Sequence, residues 1–178
     1  MPSPFKLCID PGHGMGNRTD GVFDPGCGEA GLNEASIVLV WAEELRRAVE
    51  ARGTPVFMTR RDQVTPCPVS RRASLAKTAG CTHFISIHVN DADNALAHGT
   101  ETLYRDDKEF AEDLQTELLK GLALRDRGVK QRLDLAVLKF PGKAALLELG
   151  FIKNPQDMEA VTNSALRAHT CRMLASLF

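Results

Sequence analysis

The chain has no excess charge of either sign, no long apolar run, no C-x-x-C pair and few aromatic rings. Each shortage removes a class of protein. Its 178 residues hold 22 Lys and Arg against 23 Asp and Glu, a formal net charge of −1, so the positive field that gathers nucleic acid is missing. The basic pairs Arg46-Arg47, Arg60-Arg61 and Arg71-Arg72 are scattered and mixed with acids, a pattern that reads as solvated helix faces and loop ends. No stretch approaches the roughly 20 apolar residues of a membrane-spanning helix. The opening residues, Met1-Pro2-Ser3-Pro4-Phe5-Lys6, lack the charged start, apolar core and small-residue cleavage site of a secretory signal. The expectation is a protein made in the cytoplasm, with no membrane insertion and no nucleic-acid partner.

Five cysteines, an odd set without close pairs, argue against a disulfide framework and against a thiolate zinc site. Cys8 and Cys81 lie in or beside apolar strands and read as inert core thiols. Cys27, in a glycine-rich loop, reads as a free thiol. With 43% hydrophobic and 25% charged residues, the remainder is ordinary for a globular protein. A chain of this length fits one domain that buries roughly 70% of its unfolded surface, and no internal repeat or linker divides it.

Residues 5–9 read as a buried strand, followed by a long loop, 12–31, with five further glycines between its end glycines; loops of that length are usually functional. Ile37, Val40, Trp41, Leu45, Ala48 and Val49 recur at helical spacing, which predicts a helix over 33–52 stopped by Gly53. Strand 55–59, helix 70–79 ended by Gly80, and strand 83–89 follow. Then come strand 100–104, helix 107–122, and strands 134–139 and 144–149 joined by Pro141-Gly142. Asn154-Pro155 is an N-cap with proline at the first helical position, and a last helix covers 164–177. Alternating strands and helices predict an α/β fold: a single domain with a mostly parallel central sheet of about six strands, flanked by helices on both faces.

In such a sheet, ligands bind beyond the carboxyl ends of the strands. His13 follows the first strand through the Pro11-Gly12 turn, His88 ends the strand 83–89, Glu148 lies near the end of 144–149, and Glu34 opens the first helix at the same edge. Glu148 interrupts an apolar strand, where a carboxylate costs several kcal/mol unless it is paired or bound to metal. Two histidines and a carboxylate around an open position suit a catalytic zinc ion, and a further carboxylate supplies a base.

These residues carry a family resemblance. Ile9-Asp10-Pro11-Gly12-His13-Gly14, Asp24-Pro25-Gly26 with Gly31-Leu32-Asn33-Glu34, and Met58-Thr59-Arg60 with Asp62 occur in order along the chain. They are followed by Arg71 or Arg72 with Ala73, then Phe84-Ile85-Ser86-Ile87-His88-Val89-Asn90, and finally Leu146-Leu147-Glu148-Leu149-Gly150-Phe151-Ile152-Lys153-Asn154. The series resembles the zinc-dependent N-acetylmuramoyl-L-alanine amidases of the amidase-3 type, and covers nearly the whole chain. The resemblance implies one catalytic domain over 1–178, with no separate wall-binding domain in the chain as given. It implies zinc held by His13, Glu34 and His88, with Glu148 as general base. Glu29 is a neighbouring rival ligand; Glu34 is preferred because Ala35-Ser36-Ile37-Val38 begins the helix as in the family pattern.

The implied reaction is hydrolysis of the amide between N-acetylmuramic acid and L-alanine in peptidoglycan, the expected partner, by a monomer. Some relatives insert a regulatory helix after the strand that corresponds to 100–104. Here only Arg105 and Asp106 precede the next helix, which implies an uninhibited, endolysin-like or autolysin-like enzyme that reaches the cell wall after lysis-type release. Two other readings are a different zinc amide hydrolase, such as a peptidase or deacetylase, and a non-catalytic peptidoglycan-binding domain. The second would be expected to have lost a ligand or the base, and all four residues are present.

Overall fold

The computed structural model describes residues 5–29, 32–94 and 96–178, the side chain of Glu29 excepted. Among the described residues a six-stranded sheet is formed by β1 (Leu7–Pro11), β2 (Val56–Met58), β3 (His83–Asn90), β4 (Thr100–Tyr104), β5 (Asp126–Gln131) and β6 (Lys143–Phe151). The helices are α1 (Glu34–Glu50), α2 (Val69–Thr78), α3 (Lys108–Leu122), α4 (Pro155–Thr162) and α5 (Ser164–Ala175). The glycine-rich loop, predicted as irregular, contains two small antiparallel ribbons, Gly14–Met15 with Phe23–Asp24 and Gly28–Glu29 with Leu32–Asn33.

Helix ends follow local chemistry. The Asn33 side chain accepts from the Ser36 amide and starts α1, Asp107 does the same for α3 through Phe110, and Asn154 caps α4 just before Pro155. Each cap satisfies amide groups that the first helical turn leaves unpaired. Ile37, Trp41, Leu45 and Val49 give α1 one buried face, and burial of such side chains contributes about 1.5–3 kcal/mol each.

The strand order is β2-β1-β3-β6-β4-β5. The first four strands are mutually parallel, β4 runs antiparallel to β6, and β5 is parallel to β4. The chain leaves β1 outward to β2 through α1 and returns past β1 to β3 through α2. Right-handed crossovers in opposite directions put these helices on opposite faces, and α1 and α2 indeed belong to two separate cores. The reversal opens a crevice beyond the carboxyl ends of β1 and β3, the switch point where α/β sheets bind ligands.

Strand alternation sorts the residues between the faces. Leu7, Ile9, Ile85, Ile87, Ala145, Leu147 and Leu149 join α1, α3 and α5 in the larger core. Cys8, Phe84, Ala144 and Leu146 face α2 in the smaller one. By the same alternation Asp10, Ser86, His88 and Glu148 fall on the α2 side.

One strand assignment is corrected. Residues 134–139 are not a strand: Val137–Lys139 form a 3-10 turn whose Val137 and Leu138 are buried with Phe140 in the smaller core. A short apolar run satisfies a buried turn as well as it does a strand. The remaining strand is β5, whose sequence Asp-Arg-Gly-Val-Lys-Gln is half-exposed and charged, a composition that guards a sheet edge against pairing with another chain.

Candidate functional site

The Pro11-Gly12 turn brings His13 over the switch point with a φ of +60°, a left-handed conformation uncommon outside glycine. Gly12 is required for a different reason: a Cβ there would lie 2.3 Å from the His88 ring, so the close approach of that ring to the turn excludes any larger residue. A Cβ at Gly26 would lie 2.5 Å from Glu34 Oε2. The imidazoles of His13 and His88 meet edge to face with centroids 5.0 Å apart.

Glu34, 3% exposed, lies between them. Its Oε2 is 3.0 Å from His13 Nε2 and its Oε1 is 2.8 Å from His88 Nδ1. The Val89 amide donates to Oε1 at 3.0 Å and the Cys27 amide to Oε2 at 3.1 Å. Burial raises the Glu34 carboxyl, but the bonds from His13 and His88 and their charge outweigh it and hold it far below the ordinary carboxylate value. His13 responds in the opposite sense: burial lowers it, and Glu34 and Asp24 more than reverse that, leaving it raised. Ligand atoms of His13, Glu34 and His88 all lie within 4.8 Å of one another.

The donor set passes a direct test of fit to a metal. Two imidazole nitrogens and one carboxylate crowd together with little solvent, the hard-and-borderline mixture that zinc prefers. Behind them, Asp24 Oδ2 is 3.2 Å from His13 Nδ1, short of an aligned hydrogen bond, yet close enough to favour a proton on Nδ1 and leave Nε2 for a metal. Asp24 is itself held by Asn17 Nδ2 at 2.7 Å and the Gly26 amide at 2.9 Å.

Glu148 lines the same cleft, about 420 Å³ in volume, together with His13, Glu34, His88 and Cys27. It sits in register between His88 on β3 and Glu101 on β4. Its Oε2 is shielded from solvent and has no hydrogen-bond partner. Burial, then the negative charges of Glu34 and Glu101, push its carboxyl well above the usual range. Glu101 stays charged because Arg127 Nε approaches it at 2.8 Å and Lys130 also pairs with it. All four sequence-predicted site residues thus converge on one cleft; the side chain of the rival, Glu29, lies outside the described residues.

Two arginines reverse the surface reading of the basic pairs. Arg60 is 2% exposed and Arg72 1%, while their neighbours Arg61 and Arg71 are exposed. Arg60 donates to the carbonyls of Pro11, Gly12 and Ala35 at 3.1, 2.6 and 2.8 Å. Arg72 pairs with buried Asp10 at 2.9 Å and donates to the Pro11 and His13 carbonyls at 2.8 and 2.6 Å. Asp10 also accepts from Thr59 and Ser86. The guanidiniums satisfy carbonyls that the turn takes out of the sheet, and so fix the unusual backbone of His13. The family resemblance had already singled out Arg60 and one of Arg71 and Arg72, and Asp10, a charge in an otherwise apolar strand, is the physical hint at their partner.

Cys27 is a free thiol, as expected, but not a remote one: its Sγ is 3.2 Å from both Glu34 Oε2 and the Val89 carbonyl. Burial and then Glu34 raise its pKa, so it stays a neutral S–H donor.

A parallel-sheet domain with a His–Glu–His cluster and a shielded carboxylate at its switch point has the architecture of a hydrolase. Residues 7–176 match the N-acetylmuramoyl-L-alanine amidase family (Amidase_3), and the chain belongs to that family. It is 34% identical over 158 residues to the uncharacterized protein YqiI of Bacillus subtilis (strain 168), covering 85% of this chain and 72% of that protein. It is 31% identical over 157 residues to the N-acetylmuramoyl-L-alanine amidase LytC of the same organism, covering 85% of this chain but only 30% of LytC. The crystal structure of N-acetylmuramoyl-L-alanine amidase from Clostridium difficile 630 superimposes with a TM-score of 0.85 at 26% identity, covering 97% of this chain and 93% of that one.

Proposed function

We propose that the protein is a zinc-dependent N-acetylmuramoyl-L-alanine amidase that cleaves the bond between the lactyl carbonyl of N-acetylmuramic acid and the nitrogen of L-alanine in peptidoglycan. His13, Glu34 and His88 would hold the metal, and Asp24 would orient His13. A zinc ion there supplies Lewis-acid polarisation of the scissile carbonyl. Glu148 does the proton transfers: its carboxylate takes a proton from the attacking water and delivers it to the alanine nitrogen as the C–N bond breaks, leaving a carboxylic acid and a free amine. An acid–base group suits that task when its pKa lies closer to neutrality than a solvated glutamate's, the direction in which burial pushes Glu148.

The observation that carries this reading is the shielded, partnerless Oε2 of Glu148, in the cleft that the candidate ligands also line. A buried oxygen without a partner is unfavourable for stability alone, and because this one lies in the cleft, a reactant there would supply the missing partner. The test is Glu148→Ala, with zinc content measured beside release of free stem peptide from purified muropeptides. Loss of about 10²–10⁴-fold in rate with zinc retained is expected; an undiminished rate with zinc retained removes Glu148 from the mechanism.

A further inference from the structure

On the α2 side of the His13–His88 pair lies a second cavity, about 140 Å³ in volume. Val69, Leu135, Val137 and Leu146 form its apolar wall, and Asn17 and Arg18 stand among its polar groups. Leu135 and Val137 come from the segment whose sequence resembles a strand. Because that segment turns instead, its apolar side chains close a pocket beside the candidate metal ligands. His13, His88 and Arg18 line both this cavity and the main cleft, so the two spaces adjoin at the His13–His88 pair.

The polar groups of the cavity are mostly committed. Asp10 accepts from Thr59, Ser86 and Arg72. Arg72 donates to Asp10, Asn17 and the carbonyls of Pro11, His13 and Cys67. Asn17 spends one amide hydrogen on Asp24 and its oxygen on Arg72. Arg18 is different: 77% exposed, it approaches Asp24 through Nε at 3.7 Å, which leaves its two terminal amino groups to donate. The cavity therefore offers a dry wall and a donor corner. That combination suits a neutral group with a methyl at one end and a carbonyl at the other, and it disfavours an ammonium group facing Arg18 and Arg72.

We propose that this cavity is the subsite for the acetamido group of an N-acetylated amino sugar, and this rests on the amidase reading. In an N-acetylmuramoyl unit the acetamido group is on the ring carbon next to the one that carries the lactyl arm, whose carbonyl is attacked. A sugar with that carbonyl over His13 and His88 thus has its acetamido group within reach of the neighbouring cavity. The methyl packs on Val69, Leu135, Val137 and Leu146, and the carbonyl oxygen accepts from Arg18. The volume is close to that of engineered cavities that hold a benzene ring, so the four heavy atoms of an acetamido group fit.

The test compares soluble muramoyl peptides that differ only in the N-acetyl group. The wild type prefers the acetylated substrate. Ala136→Leu, which fills the cavity from a half-buried position, lowers kcat/KM on it by about tenfold or more, the scale for one or two misplaced methylenes. The same variant leaves the deacetylated substrate, zinc content and melting temperature unchanged. Arg18→Ala gives a smaller loss, greater on the acetylated substrate than on the deacetylated one. A wild type without preference, or equal changes on both substrates in Ala136→Leu, overturns the subsite. If the wild type hydrolyses neither peptide, the amidase reading has failed, and binding to zinc-loaded protein decides the subsite. N-acetylmuramic acid must then bind more tightly than muramic acid, with the difference lost in Ala136→Leu; equal binding overturns it.

Discussion

β3 carries a histidine at each end, His83 and His88, five residues apart and therefore on opposite faces of the sheet. His88 sits at the carboxyl end among charges, with Glu34 Oε1 2.8 Å from its Nδ1. His83 sits at the amino end among rings: Phe5, Phe110 and Phe178 surround it edge-on with centroids 5.0 to 5.5 Å away, and Thr82 Oγ1 is 2.9 Å from its Nδ1. One residue type on one strand thus meets a carboxylate in a cleft at one end and packed rings at the other. Parallel strands all point the same way, so their carboxyl ends collect the loops that carry function, and their amino ends are left to close the core.

Substitutions at the two ends test that division. The largest effect is expected from His88→Ala, which should lower zinc occupancy and reduce hydrolysis by more than about 100-fold while far-ultraviolet circular dichroism stays native. Full occupancy and full activity would remove His88 from the ligand set. Arg72→Met should destabilise the fold by about 3–5 kcal/mol, because Asp10 keeps its buried charge and loses its ion pair; urea denaturation of the metal-free protein measures this. An unchanged midpoint would mean that the turn does not depend on the guanidinium. Asp24→Asn should weaken zinc affinity by about 10–100-fold in competition with a chelator, and unaltered affinity would show that Asp24 plays no part in orienting His13.

The smallest effect belongs to the aromatic end. Burial, then Lys143, lowers the His83 pKa from 6.5, against a weaker opposing pull from Asp107. The unfolded chain therefore takes up a proton first as pH falls. Stability declines below about pH 6.5 and levels off once the folded state is protonated too. His83→Phe should flatten that part of the melting-temperature profile and leave zinc binding untouched; an identical pH profile in the variant would place the sensitivity elsewhere.

The sequence revealed the groups that line the cleft more readily than those that hold them. His13, Glu34, His88 and Glu148 each interrupt a pattern, at a turn, a helix start or the end of a strand, and strand direction alone gathers them at one edge. Arg60 and Arg72 interrupt no pattern, and the resemblance that includes Arg60 and one of Arg71 and Arg72 did not say what they hold. An arginine next to another arginine looks like surface, and only the third dimension shows that one of each pair points inward at carbonyls. The 3-10 turn at Val137–Lys139 was hidden for a related reason: side-chain period distinguishes strand from helix over a long segment, but not over six residues. The antiparallel direction of β4 and β5 left no trace in local composition either.

The two arginines beneath the first turn also bear on how the chain can change over generations. They grip His13 from below, through its own carbonyl and those of Pro11 and Gly12, so the position of this residue does not depend on the outer part of the glycine-rich loop. Between the buried anchor Asn17 and the next partner, Asp24, residues Arg18 to Val22 are exposed. That stretch can lengthen, shorten or change its side chains and reshape the rim of the cleft without displacing the imidazole. Anchorage from within separates what must be inherited intact from what is free to adapt to a new substrate.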